Sequence, residues 1–298
     1  MRPVPDSDRL LAYLNGEYLP RGQACLPVTD RGLLFGDSVY EVVPAYGGKP
    51  FRVDHHLRRL DRSLGAIRMQ NPLSHERWRA VFERLTGQLP GQDQSIYLQV
   101  TRGAHPVRKH VIPPGITPNV VAFTAANPPR DEARARRGIK VITLDDIRWH
   151  RCDIKATTLL ANVLARAQAT EEGADEAILV RDGQAMEGTA SNLFIVSNGL
   201  MLTPPDSDEL LPGVTRDLVL ELAQEAGVAY AQAAISLADL EGADEIWLTS
   251  STREIGAVVE LNGRPVGDGR PGELWQRMDA LFQACKAQLR LGDDCHAG

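Results

Sequence analysis

The sequence predicts a two-domain protein of mixed α+β class, with a smaller N-terminal domain and a larger C-terminal one. Three observations carry that prediction. The chain has 298 residues, enough for two separate cores. Stretches with period-2 apolar alternation are interleaved with stretches whose apolar residues recur every three or four positions, so strands and helices are mixed along the chain. The composition also breaks at residues 126–138, "ANPPRDEARARRG", which has two prolines near its start and no apolar face. The expected layout is an α+β domain over 1–125, a linker over 126–138, a C-terminal domain over 139–290 and a frayed tail over 291–298.

In the first domain, "LAYLNGEYLP" sets Asn15-Gly16 between apolar runs, the strongest short hairpin signal. "SVYEVVPAYGGKPFRV" repeats it around Gly47-Gly48. Two helices follow, one with Leu57, Leu60, Leu64 and Ile67 on one face, the other with Trp78, Val81, Phe82 and Leu85. Asp54 and Ser74 are their expected N-caps. "SIYLQVTRG" and "PNVVAFTA" read as two more strands.

In the second domain, "GIKVITLDD" reads as a strand. "TTLLANVLARAQATEEG" reads as a helix with Leu159, Leu160, Val163, Leu164 and Ala167 on one face. "EAILVRDGQAMEGTASNLFIVSNGLMLTP" reads as three strands turning at Asp182-Gly183 and Asn198-Gly199. "TRDLVLELAQEAGV" is a helix directly after Pro212-Gly213, "DEIWLTSS" a strand, "AVVELNGRPV" a hairpin on Asn262-Gly263, and "ELWQRMDALFQACKAQL" the closing helix.

Bulk properties exclude several classes. Net charge is −6 with no basic block, which argues against a nucleic-acid groove and against attraction to anionic membranes. "MRPVPDSDRL" has no apolar core of the signal-peptide kind, and no run of about eighteen apolar residues exists to span a membrane. Cys25, Cys152, Cys285 and Cys295 are scattered, with no CxxC, so a reduced, cytoplasmic chain without a zinc site is expected. Cys152 reads as a buried structural thiol.

Only five of the 33 Lys and Arg residues are lysine. One of them, Lys155, stands in "RWHRCDIKATTLL", where an irregular segment meets a helix. A lysine kept against such a bias is either needed for its amine or left by chance. As a nucleophile the amine needs a desolvated or cation-rich setting, which Ile154, Leu159 and Leu160 could supply and which ordinary packing would also explain. A carbonyl cofactor bearing a phosphate would further need an anion cradle and an acid partner for its ring nitrogen. "LLPGVTRD" offers a turn, the Thr215 hydroxyl and a helix N-terminus, although Gly-x-Thr is also an ordinary N-cap. "TSST", Thr249 to Thr252, offers further hydroxyls at a strand end. Glu187, in "MEGTASN", is a strand carboxylate that either faces solvent or pairs with a cation.

Together these segments resemble the fold-type IV pyridoxal-phosphate enzymes, aminotransferase class IV, and among them the bacterial D-amino acid aminotransferases. "DRGLLFGDSVYEVV" is similar to the family's N-terminal signature and "HHLRRL" to its phosphate-arginine helix. "DIRWHRCDIKATTLL" is similar to its lysine segment and "EGTASNLF" to its cofactor-nitrogen strand. "LPGVTRD" and "TSSTREI" are similar to its phosphate-binding turns. The likeness runs through nearly the whole chain in order. It implies pyridoxal 5'-phosphate in a cleft between domains, with Lys155 as its covalent anchor and proton shuttle. Glu187 would meet the pyridine nitrogen, and Leu211 would pack on the ring. Arg59, Val214, Thr215 and Ser251 would hold the phosphate. Without the family, Arg59 reads as a surface helix cation beside Arg58.

In the D-amino acid enzymes an Arg-x-His pair and a signature tyrosine take the substrate carboxylate, which here points to Arg108, His110 and Tyr40. An arginine fork with a histidine and a phenol suits a carboxylate, although Lys109 and His105 would equally suit a basic surface loop. The loop is one residue longer before the arginine than the family pattern, and Ala190 stands where a serine is expected. "Tyr40-Glu41-Val42-Val43-Pro44" lacks the arginine usual in the branched-chain L-enzymes. The implied reaction is ping-pong transamination between a D-amino acid, D-alanine foremost, and a 2-oxo acid such as 2-oxoglutarate, in a homodimer. The rivals on the same fold are a branched-chain aminotransferase, an (R)-amine transaminase and an aminodeoxychorismate lyase. A rival of another class is a non-catalytic phosphometabolite-binding protein using "LPGVTRD" and "TSST" as an anion nest.

Overall fold

The structure, a computed structural model, describes residues 10–292. Most of the expected tail, with Cys295, lies outside the described residues. The chain packs as two units. Among the described residues one holds 10–129, Ile154–Thr158 and 288–292; the other holds Arg130–Asp153 and Leu159–Ala287.

The first unit is built from β1 (Leu11–Leu14), β2 (Glu17–Pro20), α1 (Arg31–Phe35), β3 (Ser38–Tyr46), β4 (Lys49–Pro50), α2 (Val53–Ala66), α3 (His75–Thr86), β5 (Gln94–Thr101) and β6 (Asn119–Ala126). Its sheet runs β2-β1-β6-β5-β3-β4 and is antiparallel throughout. Asn15 and Gly16 both take positive φ, as a tight hairpin turn requires. The apolar stripes of α2 and α3 bury Leu57, Leu60, Leu64, Trp78, Val81, Phe82 and Leu85 against Val39, Val43, Ile96, Leu98 and Val100. Ser74 caps α3, accepting from the Arg77 N–H at 3.3 Å. Asp54 does not cap α2: the N-cap is Arg52, in the left-handed region at φ 50°, and Asp54 falls in the first turn.

Lys155 groups with this unit and not with the C-terminal domain, where the sequence placed it. β4 covers only one end of β3, and the segment around Ala156 bridges the other end of that edge, at Ser38–Tyr40. Val39 bridges Ala156, the Tyr40 N–H donates to the Lys155 carbonyl (2.9 Å), and the Thr157 N–H donates to the Ser38 carbonyl (3.2 Å). An open strand edge satisfies its backbone groups by taking any strand that reaches it. Ile154 and Ala156 join the core of the same unit.

The second unit holds α4 (Glu132–Arg137), β7 (Ile139–Asp145), α5 (Leu160–Glu171), β8 (Glu176–Arg181), β9 (Gln184–Gly188), β10 (Asn192–Ser197) and β11 (Leu200–Thr203). It continues through α6 (Val214–Glu225), β12 (Tyr230–Gln232), α7 (Leu237–Glu241), β13 (Glu245–Ser250), β14 (Glu254–Leu261), β15 (Arg264–Pro265) and α8 (Glu273–Leu291), whose last residues pack with the first unit. The sheet runs β12-β11-β10-β13-β14-β7-β8-β9, with β15 on β14. β9 also pairs with β10, so β10, β13, β14, β7, β8 and β9 close on themselves. The closing pair is Asn192 opposite Glu187. The core gathers Val141, Ile178, Leu193, Ile195, Ile246 and Leu248.

Three readings need correction here. The presumed linker is partly helical, because Asp131 accepts from the Arg134 N–H (3.0 Å) and caps α4. The expected three strands after Asp175 are four: residues 189–191 turn back, the Gly188 N–H donating to the Ser191 carbonyl (2.7 Å), and β9 ends before β10 begins. α5 buries Ala165 and Ala169, while Leu160, Val163 and Leu164 stay 71, 58 and 54 % exposed in the chain. Its small face allows close approach to the sheet, and the large apolar stripe points away. Cys25 and Cys152 are free thiols. Among the described residues no helix is long and apolar enough to cross a membrane, and no His, Cys, Asp and Glu group is placed to hold a metal.

Candidate active site

In the first unit the backbone of Lys155 is held from two directions. Its carbonyl takes the Tyr40 N–H, and its own N–H donates to Ser63 Oγ on α2 at 3.1 Å. The side chain is half-buried, with Nζ 4.3 Å from the centre of the Tyr40 ring. An ammonium over a phenol face is attracted by the ring quadrupole. Tyr40 in turn stacks on Tyr97 at 5.8 Å, and Tyr97 on Phe123 at 5.1 Å. Burial pushes the Tyr97 hydroxyl up to about 12. Thus two of the sequence-selected residues, Lys155 and Tyr40, are in contact.

Alternation along β3 sends the next residue, Glu41, to the other face, where it is fully buried. Arg59 grips it with both arms of its fork, Nε to Oε1 and Nη2 to Oε2, each at 2.7 Å. His56 Nδ1 lies 2.8 Å from Oε2. Burial alone would raise the Glu41 carboxyl, but the Arg59 charge and hydrogen bonds outweigh it and hold the group well below its ordinary value. Burial lowers His56, with Glu41 opposing and the charges of Arg59 and Lys155 assisting. Arg59 is therefore a buried, paired cation and not the surface cation that its spacing alone suggested.

Arg108 and His110 lie on the exposed loop between β5 and β6. Their contacts are with Phe35: the Arg108 guanidinium carbon lies 4.8 Å from the ring centre and the His110 ring 5.2 Å from it. These contacts are not with Tyr40. Arg31, at the start of α1, reaches the same loop, donating to the Lys109 carbonyl at 2.7 Å and the His110 carbonyl at 3.3 Å.

In the second unit Glu187 is buried at the seam of the closed sheet. Arg148 Nη1 donates to its Oε1, Asn192 Nδ2 to its Oε2 at 3.1 Å, and the Leu211 N–H to Oε2 at 3.2 Å. Burial nevertheless raises the Glu187 carboxyl, with Arg148 pulling the other way. Leu211 is thus joined to Glu187 through its backbone. Leu211 leads into Gly213, the N-cap of α6, which has no side-chain cap. Val214 and Thr215 form the first turn and both are buried. Gly213 is there for space: a Cβ would collide with Asn192 Oδ1. Ser251 lies in the turn from β13 to β14, where Ser250 Oγ accepts from the Arg253 N–H at 3.1 Å.

Three features test whether this donor set suits pyridoxal phosphate. A helix N-terminus without a side-chain cap offers backbone N–H groups to an anion. Ser191 Oγ and Thr249 Oγ1 are buried with no hydrogen-bond partner in the structure. The Glu187 carboxyl gains from any further cationic donor, which a protonated ring nitrogen would be. The residues present fit the group. Sequence reasoning passed over Arg148, Asn192, Glu41, His56 and Arg31. All five stand inside segments that carry the family resemblance, and that was the signal available for them.

Comparison with known proteins adds relatives. Residues 38–261 match the family described as amino-transferase class IV. The chain is 38% identical over 269 residues to the D-alanine aminotransferase of Bacillus licheniformis, covering 90% of this chain and 94% of that protein. Among solved structures, the branched-chain aminotransferase from the thermophilic archaeon Thermoproteus uzoniensis with norvaline superposes with TM-score 0.85 at 25% identity, covering 97% of this chain and 97% of the other. A hypothetical aminotransferase from Mycobacterium tuberculosis in a PLP-bound form gives 0.82 at 26%, covering 93% and 99%.

Proposed function

The chain belongs to the class IV aminotransferase family, and on that premise we propose that it moves an amino group between a D-amino acid, D-alanine foremost, and a 2-oxo acid such as 2-oxoglutarate. The observation that carries this reading is the seating of Lys155, an amine on an otherwise arginine-rich chain, held at both backbone groups and set against Tyr40. The overall likeness to proteins named D-alanine aminotransferase directs the choice of substrate.

When bound, pyridoxal 5'-phosphate supplies the electron sink that acidifies the Cα proton of an amino acid. The Lys155 amine would hold the cofactor through its aldehyde and would carry the proton to and from Cα. Glu187, its carboxylate oriented by Arg148 and Asn192, would meet the ring nitrogen and keep it protonated. The N–H groups of Val214 and Thr215, the Ser251 hydroxyl and Arg59 would take the phosphate charge, and Leu211 would pack on the ring. Tyr40, Arg108 and His110 take the substrate carboxylate. Lys155 reaches one face of the reacting carbon, so an anion trap on one side of the pocket selects one enantiomer.

We propose further that the enzyme is a cytoplasmic homodimer. Val28, Leu33 and Val111 in the first unit are 79, 73 and 75 % exposed, and the α5 stripe is open as well. Large apolar side chains left exposed in this way suit burial by a second copy.

Steady-state kinetics on D-alanine, L-leucine and a simple (R)-amine test the reading. Arg108→Ala should lower kcat/KM for D-alanine about ten- to a hundred-fold, the loss of one charged hydrogen bond, and should affect the amine much less. A wild type that prefers L-leucine would hand the assignment to the branched-chain reading.

A further inference from the structure

We infer that Arg31 is the positioning residue that aims the carboxylate trap. The inference rests on the reading of Arg108 and His110 given above. Arg31 is 4 % exposed, although it carries a full charge and begins a five-residue helix. Every nitrogen of its fork has a partner. Nε pairs with Asp37 Oδ2 at 2.8 Å, Nη1 donates to the Lys109 carbonyl and Nη2 to the His110 carbonyl. Its backbone N–H donates to the Gly103 carbonyl at 2.9 Å, so the loop is held at its root as well. Arg102 braces the same Asp37 through Nε, at 2.9 and 2.7 Å, so the anion that orients Arg31 is itself fixed.

The loop has little else to hold it. Val107, Val111 and Ile112 are 49, 75 and 45 % exposed, so the segment has no core of its own. Phe35, on the same short helix, is shared by the two arginines, with the Arg31 and Arg108 guanidinium carbons each 4.8 Å from its ring centre. Arg31 thus fixes the main chain under Arg108 and His110, and Phe35 gives both side chains a platform. A lysine at position 31 could keep the pair with Asp37 but could not also span two successive carbonyls, because only the planar fork presents donors in that spread. Arg31 touches no substrate in this account; it acts through the loop.

The test uses Arg31→Lys, Phe35→Leu, Arg108→Ala and the Arg31→Lys/Arg108→Ala double variant of the cofactor-loaded enzyme. Arg31→Lys should raise KM for D-alanine about ten-fold while kcat stays within roughly two-fold, because the trap is loosened and the proton-transfer machinery is untouched. In the Arg108→Ala background the same change should cost clearly less than in wild type, since one of the two side chains it aims is gone. Independently of turnover, trypsin should cleave after Arg108 or Lys109 about ten-fold faster in Arg31→Lys than in wild type, read by fragment mass. Phe35→Leu should raise KM in the same direction and supplies the test should Arg31→Lys fail to fold. Additive effects in the double variant, an unchanged cleavage rate at the loop, or a Phe35→Leu enzyme with wild-type KM would each overturn the inference. Arg108→Ala without effect on D-alanine would instead sink the carboxylate-trap reading, and the cleavage rate would then decide alone whether Arg31 holds the loop.

Discussion

Replacing Glu41 with alanine should be among the most damaging single changes in the first unit. The carboxylate is fully buried, accepts two hydrogen bonds of 2.7 Å from Arg59, and lies 2.8 Å from His56 Nδ1. Its loss strands the Arg59 charge in a place where water cannot replace the partner. Breaking a buried pair from one side costs roughly 3–5 kcal/mol. Two charged hydrogen bonds at about 1.5–3 kcal/mol each give a similar figure. Urea unfolding followed by tryptophan fluorescence measures it, with Trp78 buried in the same core as reporter. The pH dependence sharpens the test. Glu41 is held below its ordinary 4.5 in the fold, so its contribution is complete above pH 4.5 and is lost as pH falls below it. The deficit of Glu41→Ala should therefore be full at pH 7 and shrink progressively below 4.5. His56 adds a separate slope: the fold depresses it below 6.5, so the unfolded chain binds its proton first and stability falls as pH drops through that value. A Glu41→Ala protein within about 1 kcal/mol of wild type at pH 7, with an unchanged acid limb, would refute the reasoning and make the pair an energetically neutral one.

Three further outcomes follow from the same geometry. Lys155→Ala should lose the visible absorbance of the purified protein, the borohydride-fixed label on its lysine peptide and essentially all turnover; near wild-type transamination would remove Lys155 from the mechanism. Glu187→Lys should slow the half-reaction with D-alanine by about two orders of magnitude or more while cofactor still binds, because the ring nitrogen then stays unprotonated; unchanged half-reaction rates would leave Glu187 a structural residue. Gly213→Ala should push Asn192 off Glu187 and off the Leu211 carbonyl, costing about 1–3 kcal/mol and weakening cofactor retention, since its Cβ would collide with Asn192 Oδ1; a melting curve and cofactor occupancy equal to wild type would show that the turn yields without cost.

Local features of the fold were legible because local chemistry decides them. Asn15-Gly16, Asp182-Gly183, Asn198-Gly199 and Asn262-Gly263 turn where only positive φ closes a tight hairpin. The stripes of α2 and α3 are core stripes, as their spacing implied. The α5 stripe shows where that inference stops: period 3.6 reports an apolar face, not what covers it. Lys155 stood out by residue bias, yet its place on the β3 edge was invisible because strand partners are chosen by long-range geometry. Glu41 was hidden one residue from Tyr40. Its role depends on a helix crossing the far face of the sheet, and nothing in "VYEVV" announces Arg59 or His56 as partners. The Asn192 and Glu187 pairing was similarly masked, because a closed sheet joins residues that read as one continuous strand.

The borrowed strand at the β3 edge bears on how the chain acquires its structure during synthesis. Ser38 and Thr157 meet across 119 residues of sequence, and Asp93 and Arg290 across 197. A ribosome releasing the chain from the N-terminus exposes the β3 edge long before the segment that fills it has been translated. Until then the edge is an open template for another nascent chain. Loop closure over such lengths is slow, so the interval is one in which chaperone supply should govern yield. Residues 1–129 expressed alone would lack both late-arriving pieces. Lys155, proposed above as the cofactor anchor, is therefore also part of a late structural plug, and a nonsense mutation before it would remove a fold-completing segment along with the amine.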